Sequence, residues 1–451
     1  MSIETALVLF NRDLRVHDHP ALAAAAKARR TVPLFVFDKR LLGSRFAAPN
    51  RVAFMLEALR DLDERLRRMG GRLFVRHGDP VRETIAVARE CGASAIHVSA
   101  DYSEYAQARE ERLARACEEG RIEFTAHQGV TIVPPGAVTP TGGDHFKVFT
   151  PFHRAWSGVQ WRRQLGAPRK LAVPSKPRAG QLPALESLSD GRPSPRRLPG
   201  GESEGRRLMR SFLRDGLGSY EDNHDDLPGD GTSRLSAYIR WGCISPLELA
   251  RKAADRPGGA AFVRQLCWRD FHHQVLAATP SLPHRDYRPR RDRWSRSKQV
   301  FEAWQQGRTG YPLVDAAMRQ LAEEGFMHNR ARMTVASFLC KDLYVDWRAG
   351  AWHFWDLLTD GEIANNAGNW QWVAGTGNDT RPNRVLNPVR QAQRFDPDGD
   401  YVRRYLPELE SVEGKAIFRP WLSEGFERLD YPPPLVDHDE AAAAFRAHRE
   451  A

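Results

Sequence analysis

The chain has 451 residues, 41% hydrophobic and 27% charged, an ordinary globular composition long enough for two or three cores. Its 67 Lys and Arg against 57 Asp and Glu give a formal net charge of +10, which suits a polyanionic partner such as nucleic acid; a base-composition bias in the coding genome would explain the arginine excess equally well. The five cysteines, Cys91, Cys117, Cys243, Cys267 and Cys340, are odd in number and far apart, which argues against a disulfide framework and a zinc site.

The start, Met1-Ser2-Ile3-Glu4-Thr5, carries an acid and lacks the basic region and apolar core of a secretory signal. No apolar run approaches the roughly 18 to 20 residues that span a bilayer. A soluble, cytoplasmic protein without membrane or metal partner is expected.

Residues 6–129 alternate short β-branched runs with amphipathic helices. Strands are expected at Ala6–Phe10, Val32–Phe37, Arg72–Arg76, Ala95–Ser99 and Ile122–Ala126, and Val52, Met55, Leu56, Leu59, Leu62 and Leu66 share one helix face. Strict alternation predicts an α/β domain with a parallel, Rossmann-like sheet and crossover helices. The first strand runs into Asn11-Arg12-Asp13-Leu14-Arg15, so the Gly-rich dinucleotide fingerprint is missing and no nicotinamide site is expected. Ligands of such sheets gather beyond the carboxyl ends of strands, where Phe35 to Asp38 and Asp101 fall. Pattern alone favours helix caps for both acids.

Residues 131–205 are rich in Pro, Gly, Ser and Arg and read as an interdomain linker with some disorder, anchored only at Phe149 to Trp161. From 206 the pattern is helical, without a solenoid repeat. The expected domains are 1–130, a linker over 131–205, and an all-α domain over 206–451, with a short terminal helix at Ala441 to Ala451. After the turn Pro228-Gly229-Asp230-Gly231, the run Thr232-Ser233-Arg234-Leu235-Ser236 sets hydroxyls and an arginine at a helix start. That is either an anion site or a plain N-cap.

The densest stretch runs from Phe326 to Trp372. Met333, Val335, Ala336, Leu339 and Leu343 predict a helix that presents His328, Asn329, Arg330 and Arg332 on its first turns, and Trp347, Trp352 and Trp355 precede Asn369-Trp370-Gln371-Trp372. Composition alone fits a Trp-rich core with a solvated basic face just as well.

The order of these residues carries more. Met327-His328-Asn329-Arg330-Ala331-Arg332-Met333, Ala336-Ser337-Phe338-Leu339, Lys341-Asp342-Leu343, Asp346-Trp347-Arg348 and Asn369-Trp370-Gln371-Trp372 resemble the flavin domain of the photolyase/cryptochrome family, closest to the class I cyclobutane pyrimidine dimer photolyases. Spaced motifs agree over nearly the whole chain. The resemblance implies that Thr232, Ser233, Arg234, Leu235 and Ser236, with Tyr220 and Arg269, bind FAD. It implies that the flavin ring lies near Arg332, Asp360, Glu362 and Asn366, with Asn366 at N5 and Arg332 paired to Asp360. Trp370, Trp347 and Trp294 match a relay of oxidisable indoles from flavin to surface.

For substrate, Trp268 and Trp372 match the walls of a pocket for a flipped dimer, Asn329 and Met333 its floor, and Arg330 and Arg394 are assigned to phosphates. Enzymes for the (6-4) photoproduct carry two histidines where this chain has Asn329 and Met333. Gln265 departs from the family, whose dimer photolyases usually have glutamate there. Val36, Phe37, Asp38, Arg51 and Asp101 match the antenna site of deazaflavin-binding members, which implies 8-hydroxy-5-deazaflavin in preference to methenyltetrahydrofolate. The expectation is a monomeric enzyme that repairs cyclobutane dimers in UV-damaged DNA by electron transfer from photoexcited reduced FAD. Its rivals are a cryptochrome-type photoreceptor, disfavoured because the chain stops soon after its helical domain, and a flavin-free nucleic-acid binder.

Overall fold

The computed structural model describes residues 3–450. Its sheet has five parallel strands, β1 (Thr5–Phe10), β2 (Arg30–Asp38), β3 (Phe74–Gly78), β4 (Ala95–Ser99) and β5 (Glu123–His127), in the order β3-β2-β1-β4-β5. The central strand β1 is buried along its whole length, as a parallel strand covered on both faces must be. The third strand begins two residues later than the pattern predicts and the fifth one residue later. The helix Pro49–Arg68 buries Val52, Met55, Leu56, Leu59, Leu62 and Leu66, the predicted stripe. The strand order reverses between β1 and β4, so the crevice beyond their carboxyl ends is the natural ligand site of this sheet.

The proline-rich stretch after the sheet is not the partly disordered linker its composition predicts. Leu171 N–H bonds the Met69 carbonyl (2.7 Å), Thr31 N–H the Ala172 carbonyl (2.7 Å) and Val75 N–H the Ala179 carbonyl (2.6 Å). Prolines have no N–H to offer, but the carbonyls around them remain acceptors, and the sheet uses them. Within the same stretch the helix Phe149–Ser157 buries Phe149, Phe152 and Trp156.

Contacts divide the chain into two compact units. The first comprises the chain up to Pro193 with Leu198–Gly218 and Ser233–Pro280; the second comprises Ser194–Arg197, Ser219–Thr232 and the chain from Ser281 onward. The helix Gly259–Ala278 thus goes with the sheet, whereas helical pattern alone grouped it with everything after 206. Asp270 is the reason. Its Oδ2 accepts the Ile132 and Val133 N–H groups (3.0 and 2.9 Å) and the Trp156 indole N–H (2.9 Å), all inside the core. Gln274, one turn on, exchanges two bonds with the Phe146 backbone (2.9 and 2.7 Å).

The second unit is helical. Its core includes Trp304, Leu321, Met327, Val335, Phe338, Leu339, Trp347, Phe354 and Trp370. The helix predicted through Leu343 ends earlier: Asn329–Ser337 is α-helical, and Phe338–Asp342 widens into a π turn in which Leu343 N–H bonds the Phe338 carbonyl (3.0 Å). Among the described residues no helix is long and apolar enough to cross a membrane, and no group of His, Cys, Asp or Glu is arranged to hold a metal. The five cysteines are free thiols.

His127 on β5 and His97 on β4 meet at 3.1 Å between Nε2 and Nδ1. Burial, then the neighbouring His97, pushes the His127 pKa down from 6.5 to about 4. The unfolded chain takes up that proton at the ordinary value and the folded chain resists it. The contribution is therefore present above pH 6.5 and is lost as pH falls through about 4. Urea midpoints measured across that window should drop on acidification, and His127→Gln should flatten the slope; an unchanged slope would remove this pair from the account.

Candidate functional site

His328 caps the helix Asn329–Ser337, its Nδ1 accepting the Arg330 N–H (3.1 Å). Capping fixes the first turn, so Asn329 is exposed while Arg332, one turn on, points back along the chain. Arg332 Nε donates to the Met327 carbonyl (2.7 Å), and its two Nη atoms bond both oxygens of Asp360 (3.2 and 2.8 Å), whose side chain is only 6% exposed. This fork geometry is the strongest form of a carboxylate pair.

Asp360 precedes the helix Ile363–Ala374, at whose start the Glu362 carboxylate accepts the Asn365 side-chain amide. Asn366 lies on the first turn. Its Nδ2 donates one of its two N–H groups to the Ala351 carbonyl (2.9 Å), which anchors the amide and leaves Oδ1 and the second N–H as the groups it can present to a ligand. Sequence, capping and pairing bring Arg332, Asp360, Glu362 and Asn366 together on two short neighbouring segments.

Of the three relay candidates, Trp370 packs edge-on to Phe354 (centroids 5.0 Å apart), and Trp347 is fully buried with its indole N–H on Asp286 Oδ1 (2.9 Å). Trp294 is half-buried against the Tyr344 ring (5.0 Å). The helix Trp347–Leu357 can approach Trp370 only because position 350 is glycine: a Cβ there would sit 2.3 Å from Trp370 Cη2 and 2.5 Å from Leu339 Cδ2.

Among the substrate candidates of the second unit, two arginines share one aromatic ring. Arg330 and Arg394 both lie over the Phe395 ring, at 4.3 and 5.0 Å, and Arg330 also bonds Asp225. Arg330 Nη1 is 3.9 Å from the Met333 sulfur, and Trp372 carries Arg384 over its ring at 5.3 Å. In the first unit, Trp268 is stacked on Phe149 with centroids 3.7 Å apart and planes 6° apart, a rigid wall, and Gln265 is exposed one turn earlier on the same helix.

The cofactor candidates near position 233 make a tight turn. Thr232 Oγ1 donates to Asp230 (3.2 Å), Ser233 Oγ accepts the Leu235 N–H (3.3 Å), and Arg234 takes a left-handed φ of +53°. Ser236 then opens the short helix Ser236–Arg240. A non-glycine residue in that region costs about 1 kcal/mol or more, and such strain clusters at binding sites. Tyr220 is buried and stacked on His224 (5.1 Å). Arg269 is buried, bonds the Val130 carbonyl (2.7 Å), and burial pushes its pKa down to about 9.

At the strand ends, Val36 and Phe37 are buried, and Phe37 stacks on His77 (4.8 Å). Asp38 caps the helix Lys39–Leu42 and accepts the Tyr105 hydroxyl, while Asp101 accepts the Tyr102 N–H (2.7 Å) and faces Arg12 at 3.4 Å. Asp38 is the helix cap that pattern favoured; Asp101 is not, since Ser103 caps the helix Glu104–Glu119. Arg51 is wholly buried and bonds the Arg45 and Phe46 carbonyls (2.6 and 3.3 Å). Burial pushes Glu110, which accepts the Asp101 N–H, up to about 7.

Residues 6–172 match the family described as DNA photolyase, and residues 262–451 match the FAD binding domain of DNA photolyase. The chain belongs to the photolyase/cryptochrome family. It is 53% identical to a deoxyribodipyrimidine photo-lyase of Streptomyces griseus over 99% of both chains. Among solved structures it is similar to a class III photolyase from Agrobacterium tumefaciens (TM-score 0.92, 31% identity, 100% of this chain and 99% of that one). A cryptochrome from Synechocystis matches as well (TM-score 0.92, 30% identity, 99% of each).

Sequence reasoning missed Gly350, Asp286, Tyr344, Asp225 and Tyr105 as parts of the family site's surroundings. Each acts through a partner distant in sequence, and a lone Gly, Asp or Tyr carries no periodic signal. Gly350→Ala should cost about 1–3 kcal/mol by overpacking and displace Trp370. Urea melts together with the near-ultraviolet circular dichroism of the indoles check this; parental stability and spectrum would contradict the packing described.

Proposed function

We propose that the protein is a deoxyribodipyrimidine photo-lyase that splits cyclobutane pyrimidine dimers in UV-damaged DNA under blue light, acting as a monomer without a metal. The observation that carries the reading is full-length identity of 53% to an enzyme named for that reaction. The FAD-binding match over 262–451 supports the cofactor, which when bound and reduced supplies the light-excited electron.

The residues fit the group. Thr232, Ser233, Arg234, Leu235 and Ser236 offer hydroxyls, a guanidinium and turn amides to a pyrophosphate, and Tyr220 is assigned to the same cofactor. The Arg332–Asp360 pair holds a cation beside the ring, which favours an anionic reduced flavin. The Asn366 amide, anchored through one N–H to Ala351, would offer its oxygen and its second N–H toward the ring and so suit either protonation state of N5. Trp370, Trp347 and Trp294 would carry electrons from outside toward the flavin when it is bound. Trp268 and Trp372 are each assigned to the extruded dimer's bases, as are Asn329 and Met333, and Arg330 and Arg394 to phosphates, Arg330 exchanging Asp225 for DNA. At the strand ends, Val36, Phe37, Asp38, Arg51 and Asp101 border an antenna for which 8-hydroxy-5-deazaflavin is proposed.

Gln265 keeps a donor function at neutral pH that an ordinary carboxylate lacks, and it adds no charge against an electron-rich dimer. Gln265→Leu preserves volume but strips the donors. Dimer binding or turnover should weaken by about 1–3 kcal/mol, read by titration with a dimer-containing oligonucleotide and by repair kinetics. Parental binding and repair would reduce Gln265 to a packing residue.

The reading as a whole is tested by restoring a thymine-dimer oligonucleotide under blue light, in darkness, and with a (6-4) oligonucleotide in its place. Restoration of the cyclobutane substrate in light alone is expected. Absence of light-dependent restoration, or preference for the (6-4) lesion, would overturn it.

A further inference from the structure

The relay indoles have unequal surroundings. Trp347 is fully buried, and its Nε1–H donates to Asp286 Oδ1 at 2.9 Å. Among the described residues neither Trp370 nor Trp294 shows a carboxylate on its indole nitrogen. The same Asp286 oxygen accepts Arg348 Nη2 at 2.7 Å. Arg348 is itself fixed by the His284 carbonyl (2.9 Å) and by Asp346 (3.0 and 3.1 Å), and its guanidinium lies 4.8 Å over the Trp347 ring. Asp286 and Arg348 are thus a braced pair with one end on a buried indole, at 15% and 29% side-chain exposure.

We propose that Asp286 makes Trp347 the favourable resting station for the hole as it leaves Trp370, and that Arg348 keeps Asp286 from taking the indole proton, so that the hole passes on to Trp294. This inference rests on the relay reading above. A carboxylate hydrogen-bonded to an indole N–H stabilises the radical cation, because positive charge on the ring lies beside a fixed negative charge where little water screens it. The electron moves from Trp347 to the Trp370 radical cation, leaving Trp370 neutral and Trp347 as radical cation with its proton still on Nε1. Next, Trp294 returns an electron to Trp347, and an external thiol refills Trp294. The initial oxidant is the photoexcited oxidised flavin.

An indole radical cation is a far stronger acid than an indole, so a bare carboxylate at 2.9 Å would take the proton and strand a neutral radical in the middle of the relay. Arg348 opposes this in two ways. It already occupies the accepting oxygen with a hydrogen bond of its own, and its charge is held in place by Asp346 and His284. The cation over the ring also disfavours the hole there, so Asp286 is the member of the pair that must outweigh it. Asp286 is a positioning residue in this scheme: it acts through Trp347 and touches no substrate.

The test uses the flavin-loaded enzyme with oxidised flavin and single-flash transient absorption, which separates protonated from deprotonated tryptophan radicals. Asp286→Asn should lower the yield of long-lived radical at Trp294 about tenfold, since loss of a charge-assisted bond worth ~1.4 kcal/mol changes a ratio by that factor, and Asp286→Glu should restore part of it. Arg348→Gln should instead give an early deprotonated radical at Trp347, slowed in heavy water. Ultraviolet resonance Raman, read against Trp347→Phe, should show the hydrogen bond from the Trp347 indole weakened in Asp286→Asn, a readout independent of turnover. Trp294→Phe is the control. If it abolishes the long-lived radical while Asp286→Asn leaves yield and Raman band unchanged, the role of Asp286 is overturned and the relay stands. If Trp294→Phe changes nothing, the relay reading fails and this inference with it.

Discussion

The fork between Arg332 and Asp360 is the constraint on which the candidate site depends. It joins the first turns of the helix Asn329–Ser337 to the segment that opens the helix Ile363–Ala374, so one ion pair fixes both a basic, outward-facing turn and the position of Asn366. Removing one partner from a buried pair costs several kcal/mol, because the other charge is left without compensation. Such a pair is weak as a source of stability and strong as a device for register. Here the register decides where the Asn366 amide stands, since one of its N–H groups is held by the Ala351 carbonyl.

Packing then fixes what electrostatics positions. Gly350 lets the helix Trp347–Leu357 close on Trp370, and Phe354 and Trp304 meet that indole edge-on. An indole held this tightly has little freedom to reorient, so in the proposed relay the spacing of the stations would be set by the core. Polar partners stand at the other two proposed stations: Asp286 and Arg348 at Trp347, and at Trp294 the Tyr344 ring, whose hydroxyl bonds Asp292 (3.1 Å).

What could be read from the sequence was whatever repeats with the period of an element. Alternating apolar runs gave β1 to β5 within two residues, and the stripe from Val52 to Leu66 gave its helix, because burial imposes those periods directly. The linker was misjudged because prolines suggest looseness while the residues beside them still bond the first unit: the Ala172 and Ala179 carbonyls accept from Thr31 and Val75, and Leu171 N–H donates to Met69. The placement of the helix Gly259–Ala278 with the sheet was hidden for another reason: it turns on Asp270 and Gln274, single residues whose partners lie more than a hundred positions earlier. The π turn after Ser337 leaves the apolar spacing of Leu339 and Leu343 intact, so no pattern could announce it. Motif order supplied the candidate site residues, and geometry supplied their partners, of which Asp286 is 61 positions from Trp347.

The central claim is that light drives repair without net consumption of reducing power. Prereduced enzyme, with excess dimer-containing DNA, no added reductant and no oxygen, should be illuminated while repaired dimers and the flavin absorption are followed together. The account predicts many dimers repaired per enzyme-bound flavin with the reduced spectrum unchanged. Repair that stops at one dimer per flavin, with the flavin oxidised in step, would contradict it.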